Sequence, residues 1–150
     1  MGPDARREEM LAAPALDDLL GYHLRRASLM DLAGFAAALG DEIKPVPFTV
    51  LCLIDEAPGV TAAEIARQAR LQRANLAPML ADFDANGWIE RRADAEDQRI
   101  QRLHLRPAGK SAVAGWRERV AAQEERTFAA LTPKEREVLR QLLARLWKDG

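Results

Sequence analysis

Between Thr61 and Leu105 the chain changes its hydrophobic period in a fixed order, and that order leaves few folds open. In TAAEIARQAR, Ala62, Ile65, Ala66 and Ala69 share one helical face. Thr61 and Glu64 before that face form the S/T-x-x-E capping box of a helix start. After a short break around Leu71-Gln72, RANLAPMLADFDANG places Leu76, Leu80 and Phe83 at helical spacing and stops at Asn86-Gly87. Two helices of this size joined by about four residues make a helix-turn-helix. The period then falls to two. Trp88 and Ile89 open an extended segment, and Ile100, Arg102 and His104 alternate with Gln101, Leu103 and Leu105. The polar, acidic stretch from Ala93 to Gln98 suits a hairpin tip. A hairpin directly after a helix-turn-helix gives the winged form of that motif.

The flanks read as helices. Leu16, Leu20, Leu24, Ala27, Phe35 and Ala38 predict one long helix over 16–39, with Asp17 and Asp18 in its first turn and Gly40 as its stop. Phe48 to Glu56 predicts a short apolar helix with Pro47 in its first turn. Pro107 to Leu131 reads as a further helix marked by Val113, Trp116, Val120 and Phe128. Thr132, Pro133 and Glu135 then cap a last helix striped by Val138, Leu139, Leu142, Leu143 and Leu146. The expected fold is mainly α with a small β-hairpin wing. Residues 1–14 read as a flexible tail and 15–150 as one domain, with the winged helix-turn-helix over 46–106 and end helices over 15–39 and 107–148. Wide apolar stripes on the end helices need a cover, and a second copy of the chain supplies one in a twofold dimer.

Composition removes other classes. The chain has 150 residues, 48% hydrophobic and 30% charged, enough to build a core. No apolar run approaches the length of a membrane span. The N-terminal stretch lacks the basic start and apolar core of a signal peptide, so the expected compartment is the cytoplasm. Cys52 is the only cysteine and lies in the apolar run VLCLI, so it reads as an inert packed thiol. Trp88, Trp116 and Trp147 read as packing residues. His23 and His104 are far apart with no cysteine pattern near them, and neither a metal site nor a cofactor is expected. With serine only at 28 and 111, no Gly-rich phosphate loop and no His–carboxylate constellation, an enzyme is not expected. Net charge is −1, yet Arg67 to Lys110 carries nine Lys or Arg against six Asp or Glu. A local basic segment in a neutral chain can serve as a nucleic-acid footprint.

Four stretches in order carry a resemblance. They are FTVLCLIDEAPGVTAAEIARQARL, RANLAPMLADFDANGWIERR, the wing ADAEDQR and the strand end RLHLRPAGK. Together they resemble the MarR family, the multiple-antibiotic-resistance type of bacterial transcription regulators, over about residues 16–147. Asp97-Gln98-Arg99 matches the family's Asp-x-Arg wing signature, and LRPAGK stands where the family usually has Leu-Thr-x-x-Gly. The resemblance implies a homodimeric repressor that binds a palindromic operator and releases it when a small molecule binds. RANLAP and YHLRRA resemble a subgroup linked to hydroxycinnamate-type aromatic acids or their CoA thioesters. Pro78 departs from the family, which more often carries a polar or basic residue there. Proline removes the N–H that would bond Ala74, so the helix either kinks or begins later, with Asn75 as cap.

The second helix of such a motif enters the major groove by its N-terminal part, which here holds Gln72, Arg73 and Asn75. Arg pairs with guanine and Asn or Gln with adenine; the alternative is a solvated helix cap. Arg99 suits a narrow minor groove, with Asp97 orienting it; the alternative is a surface ion pair. Arg91, Arg92 and Arg102 flank the wing and are candidates for phosphate contact or for a solvated strand face. The resemblance puts an effector pocket between the dimer helices and the reading lobe, with Tyr22, His23, Arg25 and Arg26 as candidates. An arginine there would pair a carboxylate or phosphate and the tyrosine a phenol; otherwise they are a core edge and solvated charges. The expected partners are double-stranded DNA, a second copy and a small aromatic effector, with no membrane. The alternative is a winged-helix module that binds protein, for which the acidic tip residues Asp94, Glu96 and Asp97 leave room.

Overall fold

A computed structural model describes residues 11–150. The expected tail over 1–14 therefore lies mostly outside the described residues. Within them, Pro14 opens a short helix α1, Pro14–Asp17, and a second helix α2 runs Leu20–Leu39. The single helix expected over 16–39 is thus broken at Asp18 and Leu19. Leu19 is extended (φ −96°, ψ 116°), and its carbonyl accepts from Tyr22 and His23 to start α2. Asp17 ends α1 and Asp18 caps it, so neither acid lies in the first turn of the long helix. Gly40 stops α2 with φ +56°, where glycine pays no Cβ penalty.

Helix α3 spans Pro45–Glu56, three residues earlier than expected. The first-turn amides of any helix lack intrahelical partners, so both Pro45 and Pro47 fit there. A two-residue strand β1, Val60–Thr61, leads into α4, Ala62–Gln68. The capping box closes as the sequence predicts: Glu64 N donates to Thr61 Oγ1 at 3.3 Å and Thr61 N to Glu64 Oε2 at 2.8 Å. Arg70 (φ +51°) then turns the chain. Leu71 N donates to Ala66 O at 2.9 Å and Arg70 N to Arg67 O at 3.4 Å, a Schellman ending without glycine.

Helix α5 runs Arg73–Ala85 and continues through Pro78. The later start at Asn75 is excluded; Gln72 is the N-cap. Strands β2, Ile89–Ala93, and β3, Gln101–Leu105, pair antiparallel, and β1 pairs with the far side of β3. The expected hairpin is therefore a three-stranded sheet of order β1-β3-β2. Helix α6 spans Pro107–Thr127, ending four residues before Leu131, and α7 spans Pro133–Lys148 behind its predicted Thr132–Glu135 capping box.

The core lies inside the winged helix. Leu51, Ile54, Ile65, Leu76, Ile89 and Leu103 are all at most 1% exposed. Trp88 stacks edge-on to Trp116 at 5.1 Å and lies 6.1 Å from Phe83, tying α5, the entry to β2 and α6 together. Farther along α6, Gln123 is buried against Gly34 of α2 and donates to Thr127 Oγ1 at 2.7 Å. Helix α7 buries no residue, and Leu139, Leu142 and Leu146 stay exposed. Trp147, expected to pack, is 56% exposed beside Lys148.

Gly109 stands where the first turn of α6 crosses the Trp88 carbonyl, which also accepts from Arg106 N at 2.8 Å. A Cβ there meets Trp88 backbone, which cannot swing aside. Gly109→Ala should cost roughly 1–3 kcal/mol, the range for overpacking. Chemical denaturation would show the midpoint falling, whereas Gly115→Ala, facing open space, should be neutral or stabilising.

Candidate nucleic-acid interface

The two helices α4 and α5 and the wing enclose one cleft of about 520 Å³. Arg67 reaches it from the last turn of α4, Arg73 from the first residue of α5, Arg91 from β2 and Arg102 from β3. Arg99 closes it from the wing tip. Glu64 is the only carboxylate among its lining residues, and its oxygen is occupied by the Thr61 amide. That hydrogen bond holds the Glu64 carboxyl below its ordinary value. Five arginines thus line the cleft beside one carboxylate, which makes its lining basic in a chain of net charge −1.

The sequence candidates separate into two groups. Gln72, Arg73 and Asn75 are exposed at the start of α5, and Gln72 caps the helix without a side-chain hydrogen bond. Their side chains are available to a base edge. Arg99 has a side chain 91% exposed, and its Nε and Nη2 each donate to Asp97 at 3.1 Å. Asp97 also accepts from Arg99 N at 3.0 Å, and these bonds hold its carboxyl below its ordinary value. An ion pair so exposed is screened by water and adds little to stability, so Arg99 can leave it at little cost.

Arg91, Arg92 and Arg102 are already engaged. Arg91 donates to Asp84 at 2.7 Å, and Arg92 pairs with its near neighbour Glu90. Arg102 donates to Asp94 at 2.6 Å and to the Gly59 carbonyl at 3.0 Å. Asp94 accepts as well from Glu96 N and Asp97 N at 3.1 and 3.0 Å, so one carboxylate organises the wing tip. These donors, Arg102 foremost, hold its carboxyl below its ordinary value. Sequence reasoning missed Arg67, although its position at the end of a capped helix was a signal. It also missed Asp84 and Asp94 as partners, since nothing local marks a pair seven or eight residues apart.

Tyr22, His23, Arg25 and Arg26 follow one another on the first turns of α2, and none lines the cleft. His23 Nε2 donates to the Asp17 carbonyl at 2.8 Å and so joins α1 to α2, while Tyr22 is half-buried beside it. Cys52 is half-buried beside Arg117; burial pushes its thiol up by more than Arg117 pulls it down, which keeps it protonated at neutral pH. Among the described residues no group of three or more His, Cys, Asp or Glu could hold a metal ion, and no helix is long and apolar enough to cross a membrane.

A capped helix-turn-helix whose second helix and wing frame a basic cleft defines a winged-helix DNA-binding protein. The sequence pattern of the MarR family matches residues 43–101. The chain is 31% identical to the transcriptional repressor CouR, solved bound to a 23-mer DNA duplex, with TM-score 0.84 over 91% of this chain and 98% of that one. It is 28% identical over 132 residues to a protein of Thauera aromatica assigned as transcriptional regulatory protein for the hcr operon, covering 87% of this chain and 80% of the relative. A MarR family protein of Mycobacterium tuberculosis, solved in complex with salicylic acid, is 26% identical with TM-score 0.71 over 88% and 98% of the two chains. The chain belongs to the MarR family of transcriptional regulators, and it is a DNA-binding regulator rather than an enzyme.

Asp94 gives the wing a pH dependence. A carboxyl lowered in the fold contributes order that is complete above its ordinary pKa and is lost as pH falls through the lowered value. Amide protection at Glu96 and Asp97, taken relative to the intrinsic exchange rate at each pH, should therefore be present at neutral pH and fall in acid. Asp94→Ala should abolish that protection at every pH.

Proposed function

We propose that the chain is a cytoplasmic, homodimeric repressor that binds a palindromic DNA site and releases it when a small aromatic acid, or the CoA thioester of one, binds. The observation that carries this reading is the cleft in which Arg67, Arg73 and Arg99 converge between α4, α5 and the wing. Gln72, Arg73 and Asn75 contact base edges in the major groove from the open end of α5. Arg99 exchanges Asp97 for a narrow minor groove, whose negative potential draws it in. Arg67 supplies a phosphate contact, as does Arg92 by exchanging its exposed pair with Glu90, and such contacts position without reading sequence. Beyond its first turn the outward face of α5 carries Ala77, Pro78 and Ala81, with Asp82 as the one exposed polar side chain before its last residues, so donation to base edges falls to that first turn. The repressor sense is supported by the likeness to CouR.

The dimer is supported by the exposed apolar residues of α7 and by Leu20 and Leu24 of α2. Effector release follows population shift. The ligand stabilises an arrangement of the two reading lobes that misses the half-site spacing, and acts only through its differential affinity. An aromatic acid is supported by the salicylic acid seen with the mycobacterial relative and by the resemblance carried by YHLRRA and RANLAP. Tyr22, His23, Arg25 and Arg26 are the residues proposed to meet it, the arginines at the carboxylate or phosphate.

Selection from a random duplex pool should enrich a palindrome with half-sites about one helical turn apart. Affinity for it should fall steeply with salt, by a log–log slope of about −0.9 per phosphate neutralised. Arg99→Ala should weaken binding at least about tenfold, the order of one good groove contact. Its unfolding midpoint should not move. No enriched site and a flat salt response would overturn the DNA reading in favour of a protein partner. For the dimer, Leu142→Glu should shift sedimentation from dimer to monomer.

A further inference from the structure

Among the cleft arginines, Arg91 is the one whose side chain reaches helix α5, holding it and strand β3 together. Its Nε and Nη2 donate to Asp84 Oδ2 at 3.0 and 2.7 Å, and its Nη1 to Gln101 Oε1 at 3.3 Å. Asp84 lies in the last turn of α5, Arg91 in the middle of β2 and Gln101 at the start of β3. One guanidinium therefore joins the second helix of the motif to both strands of the wing. Its own backbone is fixed, since Arg91 pairs across the sheet with Leu103, which is 1% exposed. The only chain link between α5 and β2 is the short turn at Asn86, Gly87 and Trp88.

Resting on the DNA reading above, we propose that Arg91 and Asp84 are positioning residues. Their pair sets the angle between α5 and the wing, so that the first turn of α5 and Arg99 reach their two grooves in one geometry. Both side chains are partly exposed, 32% and 41%, and such a pair adds little to global stability. Its effect falls on binding, where a preorganised surface loses less freedom on docking.

Charge alone predicts the opposite sign. Asp84 is an anion at the end of a helix that approaches polyanionic DNA, so removing it should tighten binding if repulsion were its only effect. Positioning predicts weakening. Arg91→Lys separates the readings from the other side: it keeps the charge of a phosphate contact and loses the forked grip on Asp84 and Gln101.

The test measures affinity for the selected duplex across a salt series, with thermal unfolding of each variant. Asp84→Asn should weaken binding roughly three- to tenfold, with unchanged unfolding midpoint and salt slope. Arg91→Lys should weaken it to a similar degree, and the double variant no further than either alone. Asp82→Asn is the control. Asp82 is exposed on the same helix, its carbonyl accepts from Asn86, and its side chain makes no ion pair among the described residues, so its loss should leave binding equal or tighter. Asp84→Asn binding as tightly as the unmodified chain, or Arg91→Lys keeping full affinity, would overturn the proposal while the DNA reading stands. An unmodified chain that binds no duplex with a steep salt slope would remove the DNA reading, and the positioning role with it.

Discussion

Leu76, Leu80 and Phe83 are sunk in the core of the winged helix, and this leaves α5 a single rotation about its own axis. Every position on the opposite face follows from that burial. Arg73 turns toward the cleft, Asp84 toward β2, and Ala74, Ala77, Pro78 and Ala81 straight outward. Burying three large apolar side chains is worth about 1.5–3 kcal/mol each. A proline inside a helix costs about 3 kcal/mol. The burial outweighs the proline, and so α5 starts at Arg73 and continues past Pro78. The carbonyl of Ala74 loses its intrahelical donor, but it lies on an exposed face where water can replace it.

What the sequence discloses and what it withholds divide along the range of the interactions. Both capping boxes, Thr61 with Glu64 and Thr132 with Glu135, are local and close as their spacing predicts. The helix-turn-helix, the wing and the family were legible for the same reason: period and turn chemistry are written within a few residues. The break at Leu19 was not, because no Pro or strategically placed Gly marks it. His23 reaches back to the Asp17 carbonyl and satisfies the end of α1, which a continuous helical pattern conceals. Strand β1 has only two residues and exists because Val60 finds Leu103, a pairing that no local pattern encodes.

The arginines show the same division with more consequence. Composition and position mark Arg91, Arg92, Arg99 and Arg102 alike as basic residues around a wing. Only the fold distinguishes them, by what each already holds. Arg99 holds a carboxylate two residues away and is otherwise in water. Arg102 holds Asp94, which in turn holds the tip amides. Arg91 holds Asp84 across the gap between helix and sheet. The tip acids Asp94 and Asp97, which the sequence left open to a protein partner, are the groups that hold Arg102, Arg99 and the tip amides. Those acids, with Asp84, offset the arginines they hold, so among the described residues the cleft's unpaired cations are Arg67 and Arg73.

Helix α6 converts these local arrangements into a property of the whole chain. Its first half is part of the reading lobe: Gly109 lies on the Trp88 carbonyl, and Val113 and Trp116 are core residues. Its second half packs on α2 through Gln123 against Gly34. At 1.5 Å per residue its 21 residues span about 32 Å without an interior proline. Arg117 adds a second tie, 3.4 Å from Asp55 and 3.2 Å from Glu56 at the end of α3. A rod clamped at one end to the lobe that carries the cleft cannot tilt at its other end without carrying that lobe along. On the proposed mechanism, a ligand that alters how α6 crosses α2 therefore needs no path through the core of the winged helix. It changes where the cleft lies relative to its twofold mate, and the spacing of the half-sites does the rest.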